Sequence, residues 1–137
     1  MAACSLFMAM VMLASSAAAA AKPPTAWQLV QKLIKDKFCT RLQLVDATEI
    51  TVTCTPFTEQ VPIRVTAMKT NSKMLASLDE NRRGACNVLE GIGLPLSDQT
   101  VPYVVGKTWY VAADPTHVSM DGIARELKGK VKTYSCV

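Results

Sequence analysis

The residues best equipped for chemistry in this chain gather around position 117. His117 is the single histidine among 137 residues, and Asp114 and Asp121 lie three positions before and four after it. A neutral imidazole between two carboxylates could bind a metal ion or act as an acid–base pair in hydrolysis, since histidine titrates near neutral pH. A structural role competes with this. Asp-Pro at 114–115 suits the start of a helix, with Asp114 capping, Pro115 in the first helical position and His117 in solvent. One imidazole and two carboxylates make a thin site, and neither a metal nor a cofactor is expected. Ser119 and Thr116 lie too near His117 in sequence to serve as its nucleophile on a rigid scaffold. Glu49, Glu59, Asp79, Glu80 and Glu90 could supply a carboxylate pair, but no spacing marks two of them out.

Two glycine motifs fail on spacing. Gly106-Lys107-Thr108 resembles the end of a phosphate-binding loop, but position 101, where a glycine is needed, is Val101. Gly91-Ile92-Gly93 would need a third glycine at 96, which is Leu96. A hairpin turn and a helix stop explain these motifs better.

The cysteines carry more information. Of five, Cys4 lies in the N-terminal apolar stretch, leaving Cys39, Cys54, Cys86 and Cys136. An even set in a small exported domain reads as two disulfides. No Cys-x-x-Cys is present, so neither a dithiol redox site nor a zinc knuckle is indicated. Three connectivities exist, and Cys39–Cys54 with Cys86–Cys136 is favoured. The first pair flanks a hairpin over 40–45 and 48–53, where a turn centred between Asp46 and Ala47 sets the cysteines directly opposite. The apolar pattern prefers a register one residue away, pairing Leu42 with Val52 and Leu44 with Ile50. A one-residue slip flips every side chain, so the two registers conflict unless a bulge intervenes. The second pair would pin the chain terminus to a helix.

Residues 1–21 hold no charged side chain, so the net charge of +4 belongs wholly to the remainder. An apolar block at 6–13 runs into alanines, with Ala19 and Ala21 forming the small-x-small pattern of signal cleavage. The block is short for a membrane span, which needs roughly 20 strongly apolar residues. Residues 1–21 therefore read as a secretory signal peptide and 22–137 as one domain. The absence of Lys or Arg ahead of the block leaves an uncleaved anchor as the alternative.

These groups must be positioned by a modest set of elements. Thr25 and Gln28 form a capping box before an amphipathic helix over 26–37. The first hairpin follows, then a strand over 61–69 whose Pro62 belongs at its start. Asn71 or Ser72 caps a helix ending at Gly91, with Leu75, Leu78, Arg82, Ala85, Cys86 and Leu89 on one side. Gly84 weakens that helix by roughly 1 kcal/mol relative to Ala, so it could split in two. A second hairpin joins 101–105 to 108–113 across Gly106-Lys107, opposing Tyr103 to Tyr110 and Val104 to Trp109. A short helix marked by Met120, Ile123, Ala124 and Leu127 stops at Gly129, and 131–137 is a last strand. Grouped strands predict a small single α+β domain: a mostly antiparallel sheet of five to six strands with two to three helices, stabilised by disulfides.

The positive charge is too small and scattered to demand nucleic acid. The alternating Lys128, Lys130 and Lys132 fit a solvated strand face, with anionic envelope polymers a weaker option. For Tyr103 and Tyr110, core packing is the default, though on an open sheet face they would form a docking surface. Arg82 and Arg83 are the other contact candidates, as arginine is enriched at interfaces. The expectation is thus a non-catalytic exported protein, periplasmic in a bacterium, that binds another protein or an envelope polymer. A small hydrolase built on His117 is the runner-up. A membrane-held envelope component is the third reading, and membrane contact is expected only if residues 1–21 persist.

Overall fold

The computed structural model describes residues 22–44, 50–56 and 61–137. The proposed signal segment, the turn at Asp46-Ala47, Glu49 and Glu59 lie outside them. The described chain is a small α+β domain. Its elements are α1 (Ala26–Lys35), β1 (Arg41–Leu44), β2 (Thr51–Thr55), β3 (Ile63–Ala67), α2 (Asn71–Gly91), a 3-10 turn (Leu96–Asp98), β4 (Thr100–Val105), β5 (Trp109–Ala112), α3 (Met120–Leu127) and β6 (Lys130–Ser135). The strands form one sheet in the order β1-β2-β3-β5-β4-β6, with every neighbouring pair antiparallel.

Local chemistry explains the helices. Thr25 Oγ1 accepts the Gln28 N–H, and the Gln28 side chain accepts the Thr25 N–H, which satisfies two donors that a helix start leaves open. α1 ends at Lys35. Lys37 takes the left-handed conformation, and Phe38 N–H bonds back to Leu33 C=O, so the turn delivers Cys39 into the core. The α2 cap lies at least one residue earlier than expected: Thr70, not Asn71 or Ser72, accepts from Lys73 N–H. It runs through Gly84 unbroken. It also runs through Gly91, because the left-handed stop is Gly93 at φ 86°, with Leu94 N–H bonded to Leu89 C=O and Gly93 N–H to Glu90 C=O.

The hairpin registers differ from both expectations in an instructive way. In the first, Leu42 pairs in register with Cys54 and Leu44 with Val52. Cys39 precedes β1 and has no ladder partner, so the directly opposed cysteines of the turn-centred register are not found. The observed register is two residues from the apolar one, and a shift of two preserves faces. In the second, Val105 pairs with Tyr110 and Val104 with Val111, so the turn residues are Lys107 and Thr108. Gly106 is not at a positive-φ turn position. A Cβ there would lie within the Trp109 indole, and one at Gly129 would strike the edge of the same ring, so crowding by the ring requires both glycines. Pro102 is tolerated in a central strand because the position it would face on β5 lies beyond Ala112, where that strand has ended.

Helices cover both faces of the sheet. α1 and α3 pack side by side on one face, burying Leu29, Val30 and Leu33 with Ile123 and Leu127 against Val52, Ile63, Val65, Val104 and Val111. The Cys39–Cys54 disulfide lies inside this core, with both residues at most 1% exposed. α2 lies on the other face over β4 and β5, where Met74 and Leu78 meet Tyr103, Val105 and Tyr110. The second disulfide, Cys86–Cys136, ties α2 to the residue after β6. Two disulfides suit an oxidising environment. Among the described residues no helix is long and apolar enough to cross a membrane.

Candidate partner-binding surface

The structure sets the sequence candidates apart from one another. His117 and Asp114 share the turn between β5 and α3, with His117 Nε2 3.8 Å from Asp114 Oδ2. Asp114 is already committed: its Oδ1 accepts the Thr116 N–H at 2.9 Å and the Thr116 hydroxyl at 2.7 Å. That hydroxyl bond holds the Asp114 carboxyl below the usual carboxylate range. The pair stands in solvent. Asp121 sits exposed in the first turn of α3, where Ser119, not Asp114, is the helix cap and accepts the Gly122 N–H. Ser119 is therefore occupied structurally. Among the described residues no group of three His, Cys, Asp or Glu side chains is placed to hold a metal ion.

Tyr103 and Tyr110 do not form a docking surface. They are 0% and 2% exposed, because α2 covers the sheet face that carries them. The two rings meet edge to face at 5.8 Å, and Tyr134 meets Tyr103 at the same distance. Each buried hydroxyl finds a partner on α2: Tyr103 donates to Asn81 Oδ1 at 2.7 Å, and the Tyr110 hydroxyl lies 3.0 Å from Ser77 Oγ. Burial pushes the Tyr103 phenol up to about 12. Trp109 is also core, while Trp27 is 37% exposed.

Arg82 is a clamp. Its Nη2 lies 2.8 Å from Asp79 Oδ1, and its Nη1 donates to the Ser135 carbonyl at 3.1 Å, locking α2 to β6 beside the disulfide. The hydrogen bond from Arg82, with the charge of Arg83, keeps the Asp79 carboxyl below its ordinary range. Arg83 pairs with Asp79 at 3.0 Å but leaves most of its side chain in water. Of the two arginines named from sequence, Arg83 alone remains largely accessible.

What the sequence did not reveal is an apolar ridge at the end of α2. Its 21 residues span about 32 Å at 1.5 Å each, whereas the six residues of β4 span about 20 Å. The helix therefore outruns the strands beneath it, and its buried residues stop at Cys86. Beyond, Val88 is 66%, Ile92 68% and Leu94 40% exposed. Val88 and Ile92 are four residues apart on one helix side, so they are surface neighbours. Leu75, expected on the buried stripe, is 48% exposed, while Met74 takes the inward position. The missed signal was Val88-x-x-x-Ile92 crossing a glycine taken as a stop. No protein-family model matches the chain, and comparison with curated proteins and with solved structures likewise gave no match.

Proposed function

We propose that this chain is an exported, non-catalytic protein that binds a macromolecular partner through the overhanging end of α2. The observation that carries the reading is the ridge of Val88, Ile92 and Leu94, three large apolar side chains left in water on one rigid helix end. Single exposed apolar residues are ordinary, but adjacent ones on a fixed element are a feature of contact surfaces. Rigidity is built in. The Cys86–Cys136 bond, the Arg82 clamp and the Gly93 stop hold the ridge from three sides, which lowers the ordering cost of association. The disulfides and the N-terminal apolar stretch support export, with the periplasm as the site of action.

A photo-crosslinking residue at Leu94, in the oxidised protein within its native envelope fraction, tests this. A discrete adduct is expected that disappears in Ile92→Asp while the variant keeps its melting temperature. No adduct, or one indifferent to Ile92→Asp, would sink the reading.

A further inference from the structure

The sheet has two edges, and among the described residues no strand pairs with the outer side of β6. β6 pairs with β4 along its whole length, from Lys130 opposite Val105 to Ser135 opposite Thr100. The Cys136 N–H bonds Gln99 C=O at 3.0 Å, which sets the phase of the ladder. In an antiparallel pair alternate residues turn both main-chain groups toward the partner strand. Lys130, Lys132 and Tyr134 thus bond β4, while Val131, Thr133 and Ser135 present their N–H and C=O groups outward. The Arg82 contact confirms the phase, since it takes the outward Ser135 carbonyl. Val131 and Thr133 are both exposed, and β6 contains no proline. Val131 and Thr133 therefore turn two donors and two acceptors to this edge.

The charge along this edge has one sign. Lys130 and Lys132 lie on the face that carries Val105 and Tyr103, Lys128 caps α3 just before, and β6 itself has no acidic residue. Lysines on an edge strand discourage pairing with a like strand. A second copy related by a two-fold axis illustrates this. Centred on Lys132 it opposes lysine to lysine, centred on Val131 it opposes Lys130 to Lys132, and centred on Thr133 it needs the Ser135 carbonyl that Arg82 holds. The same lysines favour a strand of opposite charge.

We propose that the outer edge of β6 accepts an extended acidic segment of a partner protein as a seventh strand, bonded at Val131 and Thr133 and paired with Lys130 and Lys132. Main-chain bonds supply the geometry and the lysines select the sequence. This deepens the partner-binding reading and rests on it, but it uses a different surface from the α2 ridge.

The test is titration of the full oxidised protein with a short synthetic peptide of alternating glutamate and valine, against its lysine–valine counterpart. The acidic peptide should bind, protect the Val131 and Thr133 amides from hydrogen exchange, and outcompete the basic one. Thr133→Pro removes an outward donor that β4 does not use and should weaken binding roughly tenfold. Thr133→Val, which keeps the N–H, should bind as the parent does. K130E/K132E should reverse the peptide preference. Should Thr133→Pro fail to fold, an acidic peptide N-methylated at alternate positions replaces it and should fail to bind. The proposal falls if the acidic peptide does not bind, if Thr133→Pro or N-methylation changes nothing, or if a disordered polyglutamate competes equally, which would indicate charge attraction without strand addition. A Leu94 adduct that forms while the acidic peptide fails to bind the parent protein removes the edge and leaves the ridge; absence of that adduct from the protein with its ridge intact removes the ridge reading on its own.

Discussion

The two faces of the sheet are built from different chemistry. Against α1 and α3 the core is aliphatic, and its disulfide is sealed inside with Cys39 and Cys54 at 0% and 1% exposed. Against α2 the core is aromatic and hydrogen-bonded, with three tyrosines in edge-to-face contact and hydroxyls answered by Asn81 and Ser77. Its disulfide sits at the margin, joining α2 to the end of the chain. The aliphatic side derives its stability from area, which is non-directional and tolerant of small shifts. The tyrosine side carries directional bonds, which fix where α2 lies and hence where its free end points. One face holds the fold together; the other aims a helix.

The largest effect should come from the sealed disulfide. Loop entropy alone ranks the bonds the other way, about 3 kcal/mol for the 15-residue separation and about 4 for the 50-residue one. C39A/C54A also leaves voids where two sulfurs were packed in the core, about 1 kcal/mol for each. We expect a total near 5 kcal/mol for C39A/C54A, against about 4 for C86A/C136A, by denaturant unfolding. If C86A/C136A costs more, loop length outweighs packing and the contrast between the faces weakens.

Next comes Tyr103. Tyr103→Phe leaves Asn81 without its donor and should cost about 1–2 kcal/mol at neutral pH. Its pH dependence is more specific. The folded phenol titrates at about 12 and the unfolded one near 10, so between those values the unfolded chain releases a proton that the folded chain keeps. Stability is therefore whole below pH 10 and declines as pH rises toward 12, by roughly 3 kcal/mol from this group. Tyr103→Phe should flatten that decline in alkaline melts. An unchanged slope would mean that the tyrosine face is not as closed as its burial indicates.

The smallest effect belongs to the surface turn. His117→Ala should change stability by no more than about 0.5 kcal/mol and leave the Leu94 adduct intact. A hydrolytic activity of the purified protein that vanished in this variant would overturn the non-catalytic reading.

The sequence was most legible where a few neighbouring residues decide the outcome. The Thr25–Gln28 box needs only two side chains and one turn of backbone, and it is present as read. α3 has the inward residues its spacing implied, Met120, Ile123, Ala124 and Leu127. Legibility dropped wherever a distant residue intervened. Gly106 and Gly129 are demanded by the Trp109 ring, a contact that no local pattern announces. Both hairpin registers moved by two from an expected pairing yet kept its apolar parity, since alternation defines which face is buried but not how far one strand slides along the other. For the candidate site little was legible: core packing was the default for Tyr103 and Tyr110, but the docking alternative stayed open while the path of α2 was unknown.

What the sequence determined by itself was the class of fold, the cap of α1, the inward residues of α3 and the apolar alternation of the strands. These follow from period, capping and turn chemistry acting over a few residues. The tertiary structure joins the two cysteine pairs that the sequence favoured among three connectivities, and it alone decided that α2 covers the tyrosines and that the same helix outruns the sheet to leave Val88, Ile92 and Leu94 in water. Those outcomes depend on strand order and on the length of a helix relative to the strands beneath it, quantities that exist only once the chain has closed on itself.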